Sequence, residues 1–160
     1  MSKRYASNTE VPSDRSRLDI ERVLMNHGAR GFGYETDTGR VMITFRVLNE
    51  IGALVAVQIS LTMPCQDDEE FTKTPTGKNR SENQAYAAYE QACRSSWRQL
   101  LLIIRAKMEA VAAGISTIER EFMPDIVIGK GGRTLGQWME ENQKAIEAGG
   151  KIPLLPAGSQ

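Results

Sequence analysis

Between Val41 and Met63 the chain reads VMITFRVLNEIGALVAVQISLTM, and the fold turns on these residues. Val41, Ile43, Phe45 and Val47 alternate with Met42, Thr44, Arg46 and Leu48. Val55, Val57, Ile59, Leu61 and Met63 alternate with Ala56, Gln58, Ser60 and Thr62. Such alternation belongs to strands with one dry face and one wet face. The connection NEIGA is rich in turn residues, so the two runs form an antiparallel pair. Upstream, TDTGR is a second turn that joins them to GFGYE, adding a third strand and completing a meander.

On either side of the meander, three-and-four spacing replaces alternation. From Ser13 onward Leu18, Ile20, Val23 and Leu24 recur at helical spacing, with Ser13 or Ser16 as the cap and Gly28 as the terminator. Residues 84–113 carry the strongest helical pattern, from Tyr86 and Tyr89 through Trp97, Leu100 and Ile104 to Met108 and Val111. Its LLLII segment is apolar on every side, which predicts enclosure by the sheet and other helices or by a second subunit. STIEREF predicts a short helix, capped through Ser116 and Glu119. Thr134 and Gln137 stand at capping-box spacing ahead of a helix from about Leu135 to Ala148.

The expected fold class is therefore α+β. It consists of an antiparallel β-meander of three or more strands, one long helix packed on it, and a helical C-terminal part with a small β-hairpin. Residues 1–160 form a single domain, with 1–12 a loose N-terminus and 151–160 an extended tail. Residues 65–83, CQDDEEFTKTPTGKNRSEN, are expected as a mobile surface loop, because adjacent acids, Pro and Gly cannot build a core.

Lys plus Arg (20) balance Asp plus Glu (20), so any polyanion site must be a local patch rather than a field of the whole molecule. Cys65 and Cys93 form no metal-binding or disulfide-rich pattern and read as free thiols in a reducing compartment. No apolar run reaches membrane-spanning length and the start lacks a signal-peptide core, so the expectation is a cytoplasmic protein with no membrane partner.

One motif invites a sharper reading. In DIVIGKGGRTL, residues 125–135, the segment VIGKGGRTL resembles the signature loop of the KH domain, with Gly129 and Gly132 at its two defining glycines. The resemblance implies phosphate-backbone contact by Lys130 and Gly131, with Arg133 adding charge. The surroundings favour another structure: Pro124 breaks the preceding helix, and Ile126, Val127 and Ile128 are β-branched. DIVI and RTL are thus expected as the arms of a hairpin around four turn residues, the spelling being incidental. More broadly, SRLDIERVLMNHGARGFGY, the strand pair ending in LTMP, SSWRQLLLIIRAKMEAVAAGISTIEREF and GRTLGQWM together resemble a family of small phage and prophage proteins. That family carries no established catalytic residues. It implies an accessory protein of a mobile element, acting in the host cytoplasm.

Catalysis is not expected. His27 is the only histidine and closes a helix, so no Cys–His or Ser–His–Asp set can be assembled. There is neither a P-loop nor a dinucleotide fingerprint, and no cofactor or metal is implied. The leading expectation is a non-catalytic protein that binds nucleic acid, single-stranded DNA or RNA. Its wet sheet face would show Phe32 and Tyr34 beside Arg46, Thr44 and Gln58, rings and cations of the kind that stack and hold single strands. Arg94, Arg98 and Arg105 share one stripe of the long helix, and Lys130 and Arg133 complete the basic set. The alternative is a protein-interaction module, an inhibitor or regulator of a host protein or a small homo-oligomer, acting through the LLLII surface.

Overall fold

The computed structural model describes residues 9–37 and 39–149. The expected tail, and most of the expected loose N-terminus, lie outside these residues. The chain runs α1 (Ser13–Asn26), β1 (Arg30–Asp37), β2 (Arg40–Leu48), β3 (Leu54–Thr62), α2 (Glu69–Thr72) and α3 (Glu82–Ala112). It continues through α4 (Ile118–Phe122), a 3-10 turn at Met123–Asp125, β4 (Val127–Ile128), β5 (Arg133–Thr134) and α5 (Leu135–Glu147).

The meander forms as the alternation dictates, an antiparallel sheet in the order β1-β2-β3. Val41, Ile43, Phe45 and Val47 are buried, and their partners Leu61, Ile59, Val57 and Val55 lie on the same face. Against that face pack Ile20, Val23 and Leu24 of α1 and Trp97, Leu100, Leu101, Ile104 and Met108 of α3. α1 and α3 lie side by side and point the same way. The Gln91 amide donates to the Thr9 carbonyl at their N-terminal ends (2.9 Å), and His27 faces Glu109 at their C-terminal ends (3.6 Å). His27 also caps α1, its ring Nδ1 lying 2.7 Å from the Val23 carbonyl oxygen. The caps of α1 and α4 differ from the expected ones: Pro12 precedes α1 with no side-chain cap, and Thr117 rather than Ser116 caps α4.

The sheet and helices α1, α2 and α4 cover α3 on only part of its circumference. Leu100, Leu101 and Ile104 are buried, but Ile103 is 53% exposed, so LLLII is not enclosed all round. In α1, Leu18 likewise points to solvent. The short α4 closes the end of the core with Phe122, whose ring meets Phe45 edge-on at 5.6 Å. Asn49 in the β2–β3 turn donates to the Glu119 carboxylate (2.6 Å), tying that turn to α4 and holding this carboxyl below its ordinary pKa.

Residues 65–83 are more structured than their composition suggests. They contain α2 and a bridge between Lys73 and Asn79, and they close over a buried ring, Phe71, set edge-on to Tyr89. Arg80 donates to the carbonyls of Glu70 and Phe71, which fixes the return of the chain into α3. No helix among the described residues is long and apolar enough to cross a membrane.

Candidate nucleic-acid interface

The open face of the sheet is built by register. Arg30 pairs with Arg46, which pairs with Ala56; Gly33 pairs with Thr44, which pairs with Gln58. Glu35, Met42 and Ser60 form the next row, and Asp37, Arg40 and Thr62 the last. Paired residues project to the same side, so these rows make a face opposite to α1 and α3. Most of it is exposed, with Gly33, Met42, Ala56 and Gln58 half-buried.

Two expected members of that face are not on it. Tyr34 pairs with Ile43, and Phe32 packs against the core cluster, so both aromatic residues belong to the helix-covered side. The hairpin register is the cause: Asp37 pairs with Arg40 and Thr36 with Val41, which carries Tyr34, and Phe32 two residues before it, to the side of Ile43. Arg30 and Phe32 stand two apart and would share a face in a regular strand, but the register shifts between Arg30 and Gly33. Gly31 sits there at φ +64°, a left-handed conformation that glycine adopts at little cost and that inserts one extra residue. This bulge brings Arg30 to the open face, opposite Arg46. Tyr34 instead accepts a hydrogen bond from Arg17 (3.3 Å), whose guanidinium lies 5.1 Å from the Tyr34 ring centroid and 5.5 Å from that of Trp97.

The remaining sites disperse. Arg46 and Gln58 do lie on the open face. Arg94 lines a cleft with Pro12 and Asp14 at the start of α1, its Nε buried without a hydrogen-bond partner. Arg98 is half-buried on the same stripe of α3, on the far side of the sheet from Arg46. Lys130 is exposed at the tip of the β4–β5 hairpin, and Arg133 forms an ion pair with Glu141 of α5 (3.0 Å). Gly129 and Gly132 are both left-handed, at φ +65° and +68°, as hairpin turn residues. The loop joins two strands rather than two helices, so the KH arrangement is absent here and the hairpin reading holds.

That hairpin is a separate two-stranded sheet set against the edge of the meander. Ile126 bridges Val57 on the edge of β3, and Leu135 N–H donates to the Ile126 carbonyl (2.8 Å), which starts α5 beside the open face. Thr134 and Gln137 form the expected capping box. Between α5 and the sheet lies a polar cleft of about 280 Å³, lined among others by Arg40, Gln58, Ser60, Asp125, Gln137 and Glu140. Asp125 is half-buried, and burial pushes its carboxyl above the ordinary value, with Lys107 opposing the shift.

This has a measurable consequence. Between the ordinary value of 3.8 and the raised one, the folded state keeps a proton that the unfolded chain releases. Stability therefore falls as pH rises through that window and stays lowered above it. Asp125→Asn is expected to raise the melting temperature at neutral pH and to leave it unchanged below pH 3.8. Equal effects at both pH values, read by thermal scans, would contradict the assignment.

Among the described residues no group of three or more His, Cys, Asp and Glu side chains could hold a metal ion. No protein-family profile, curated protein or solved structure matches this chain. The site residues that sequence reasoning missed are Arg30, hidden by the bulge, and Arg40 and Arg17, which carried no motif. Strand register alone could have found Arg30, and register is not visible when a single glycine shifts it.

Proposed function

We propose that this chain is a non-catalytic protein that binds single-stranded nucleic acid along the open face of its sheet, as an accessory protein of a phage within the host cytoplasm. The observation that carries the reading is the pairing of Arg30 with Arg46 on an exposed surface. Among the described residues no acid forms an ion pair with either one. Like charges placed directly opposite on neighbouring strands weaken a sheet by a few tenths of a kcal/mol to about 1 kcal/mol. A phosphate between them turns that repulsion into two charge-assisted hydrogen bonds. Thr44 and Gln58 offer donors and acceptors in the next row. Along β2, Arg40 lies about 20 Å from Arg46 at 3.3 Å per residue, so a backbone running with the strand meets a second cation. With both rings on the other side of the sheet, this face grips phosphates and leaves bases unstacked, which favours weak, sequence-tolerant binding.

The test is an anisotropy titration of a fluorescent single-stranded oligonucleotide at two salt concentrations. Arg30→Gln with Arg46→Gln should weaken binding roughly tenfold or more at low salt. The same pair should flatten the salt slope by about 0.7, the contribution of the one phosphate they share on a single strand. An unchanged slope would remove the assignment. Duplex DNA run in parallel gives the single-strand preference directly.

A second reading rests on a different observation. At the β2–β3 turn Leu48 and Leu54 pair on the open face at 44% and 52% exposure, and Ile51 at the tip is 87% exposed. An apolar tip of this kind suits docking to a host protein. Retention by a host protein that is insensitive to salt, with no retention on an oligonucleotide column, would favour it.

A further inference from the structure

At the opposite end of the sheet from that tip, a cleft of about 520 Å³ opens between β2, α3 and the segment leaving β3. Its volume is in the range of small-molecule sites. Arg17 and Arg40 both line it, with Met63, Pro64, Tyr89 and Trp97 supplying an apolar and aromatic wall. Asp37 and Cys65 lie at its rim and are exposed.

Arg17 is held in place before any ligand arrives. Its guanidinium sits between the Tyr34 and Trp97 rings, donates to the Tyr34 hydroxyl and pairs with Asp14. Two of its donors are used in this way, and guanidinium has five, so the rest are free for a planar or tetrahedral anion. Asp14 offsets part of the charge, which makes Arg40 the second cation an anion would need. Arg40 also lines the polar cleft on the open face, so the two clefts meet at this one side chain.

We infer that the cleft binds a nucleotide through its phosphomonoester, the phosphate held by Arg17 and Arg40 and the base or sugar lying against the Tyr89, Met63 and Pro64 wall. A terminal phosphate carries nearly two negative charges and three acceptor oxygens, which suits a cleft lined by two arginines better than the single charge of an internal phosphodiester. The same chemistry comes from a free mononucleotide or from the phosphorylated end of a strand lying on the sheet face. The cleft does not require the sheet-face reading, but a strand end is the source that would join the two.

The experiment uses the full chain and three probes: thymidine monophosphate, thymidine, and a single-stranded oligonucleotide with and without a terminal phosphate on its 5′ or 3′ end. Calorimetric titration is expected to show binding of the monophosphate and not of thymidine, with Arg40→Gln weakening it about tenfold or more. Arg17→Gln should act likewise; because Arg17 also packs against two rings, the exposed Arg40 provides the variant free of folding effects. If the strand end is the source, the phosphorylated oligonucleotide binds more tightly than its unphosphorylated twin, and Arg40→Gln erases the difference. Arg30→Gln with Arg46→Gln should weaken both oligonucleotides equally and leave the monophosphate untouched. Monophosphate binding without oligonucleotide binding supports the cleft and ends the sheet-face proposal. Oligonucleotide binding that ignores terminal phosphate, with no uptake of the monophosphate, overturns the cleft and leaves the sheet face standing. Monophosphate affinity unmoved by Arg17→Gln and Arg40→Gln also overturns it.

Discussion

Phe122→Ala should lower the free energy of unfolding by about 3–5 kcal/mol, the usual cost of removing a fully buried aromatic ring. Phe122 has no exposed surface, and its ring meets Phe45 in the centre of β2 edge-on at 5.6 Å. α4 is only five residues long and has no stability of its own. What holds it is the pair of buried side chains, Ile118 and Phe122, the Asn49–Glu119 hydrogen bond and Lys107, whose ammonium lies 5.1 Å from the Phe122 ring centroid and donates to the Glu121 carbonyl. Truncation leaves a cavity against Phe45 and removes the ring beneath that ammonium. Urea denaturation of both proteins measures the loss, and Phe122→Leu should recover a large part of it by refilling the space. A loss under about 1 kcal/mol would mean that this ring is not part of the core.

Gly136→Ala sets two effects against each other. Position 136 lies in the first turn of α5, where Ala is a better helix former than Gly by about 1 kcal/mol. A Cβ there would stand 2.8 Å from the Pro124 carbonyl oxygen and 3.2 Å from the Pro124 Cβ. The first contact is with main chain, so no side-chain rotation relieves it. Overpacking of this kind costs about 1–3 kcal/mol, which cancels or outweighs the propensity gain. The expected outcome is a net loss of stability centred on the C-terminal unit, seen as faster amide exchange over residues 126–147 with the three-stranded sheet unchanged. Trp138, half-buried on α5, gives a fluorescence check of the same event. Uniform stabilisation would show that the propensity term wins and that the two segments have room to separate.

The meander and long helix were legible because alternation and three-and-four spacing report directly on which side of an element is dry. The same signals gave the C-terminal hairpin, where β-branched residues flank a glycine-rich turn, and the Thr134–Gln137 cap. The candidate site was less legible. Phe32 and Tyr34 do not stand beside Arg46, because the turn pairing Asp37 with Arg40 fixes them on the side of Ile43, and the bulge at Gly31 brings Arg30 opposite Arg46 instead. The arginine stripe of α3 was correct as a stripe, but helical spacing does not say what the stripe faces, and the start of α1 lies beside Arg94. Phe71 escaped notice because one ring among acids and turn residues has no periodic partner; its partner, Tyr89, lies in another element. Arg17 and Arg40 come together only through the tertiary fold.

The side-by-side, same-direction arrangement of α1 and α3 bears on how fast the molecule can assemble. Ile20 and Ile104 share one core although they stand more than eighty positions apart, with the entire meander between them. Bringing the two helices together closes a loop that holds the whole ribbon, and the entropy of such non-local closure slows folding. Refolding is therefore expected on the millisecond-to-second scale of sheet-dominated domains, even though helix makes up about twice as much of the described residues as strand.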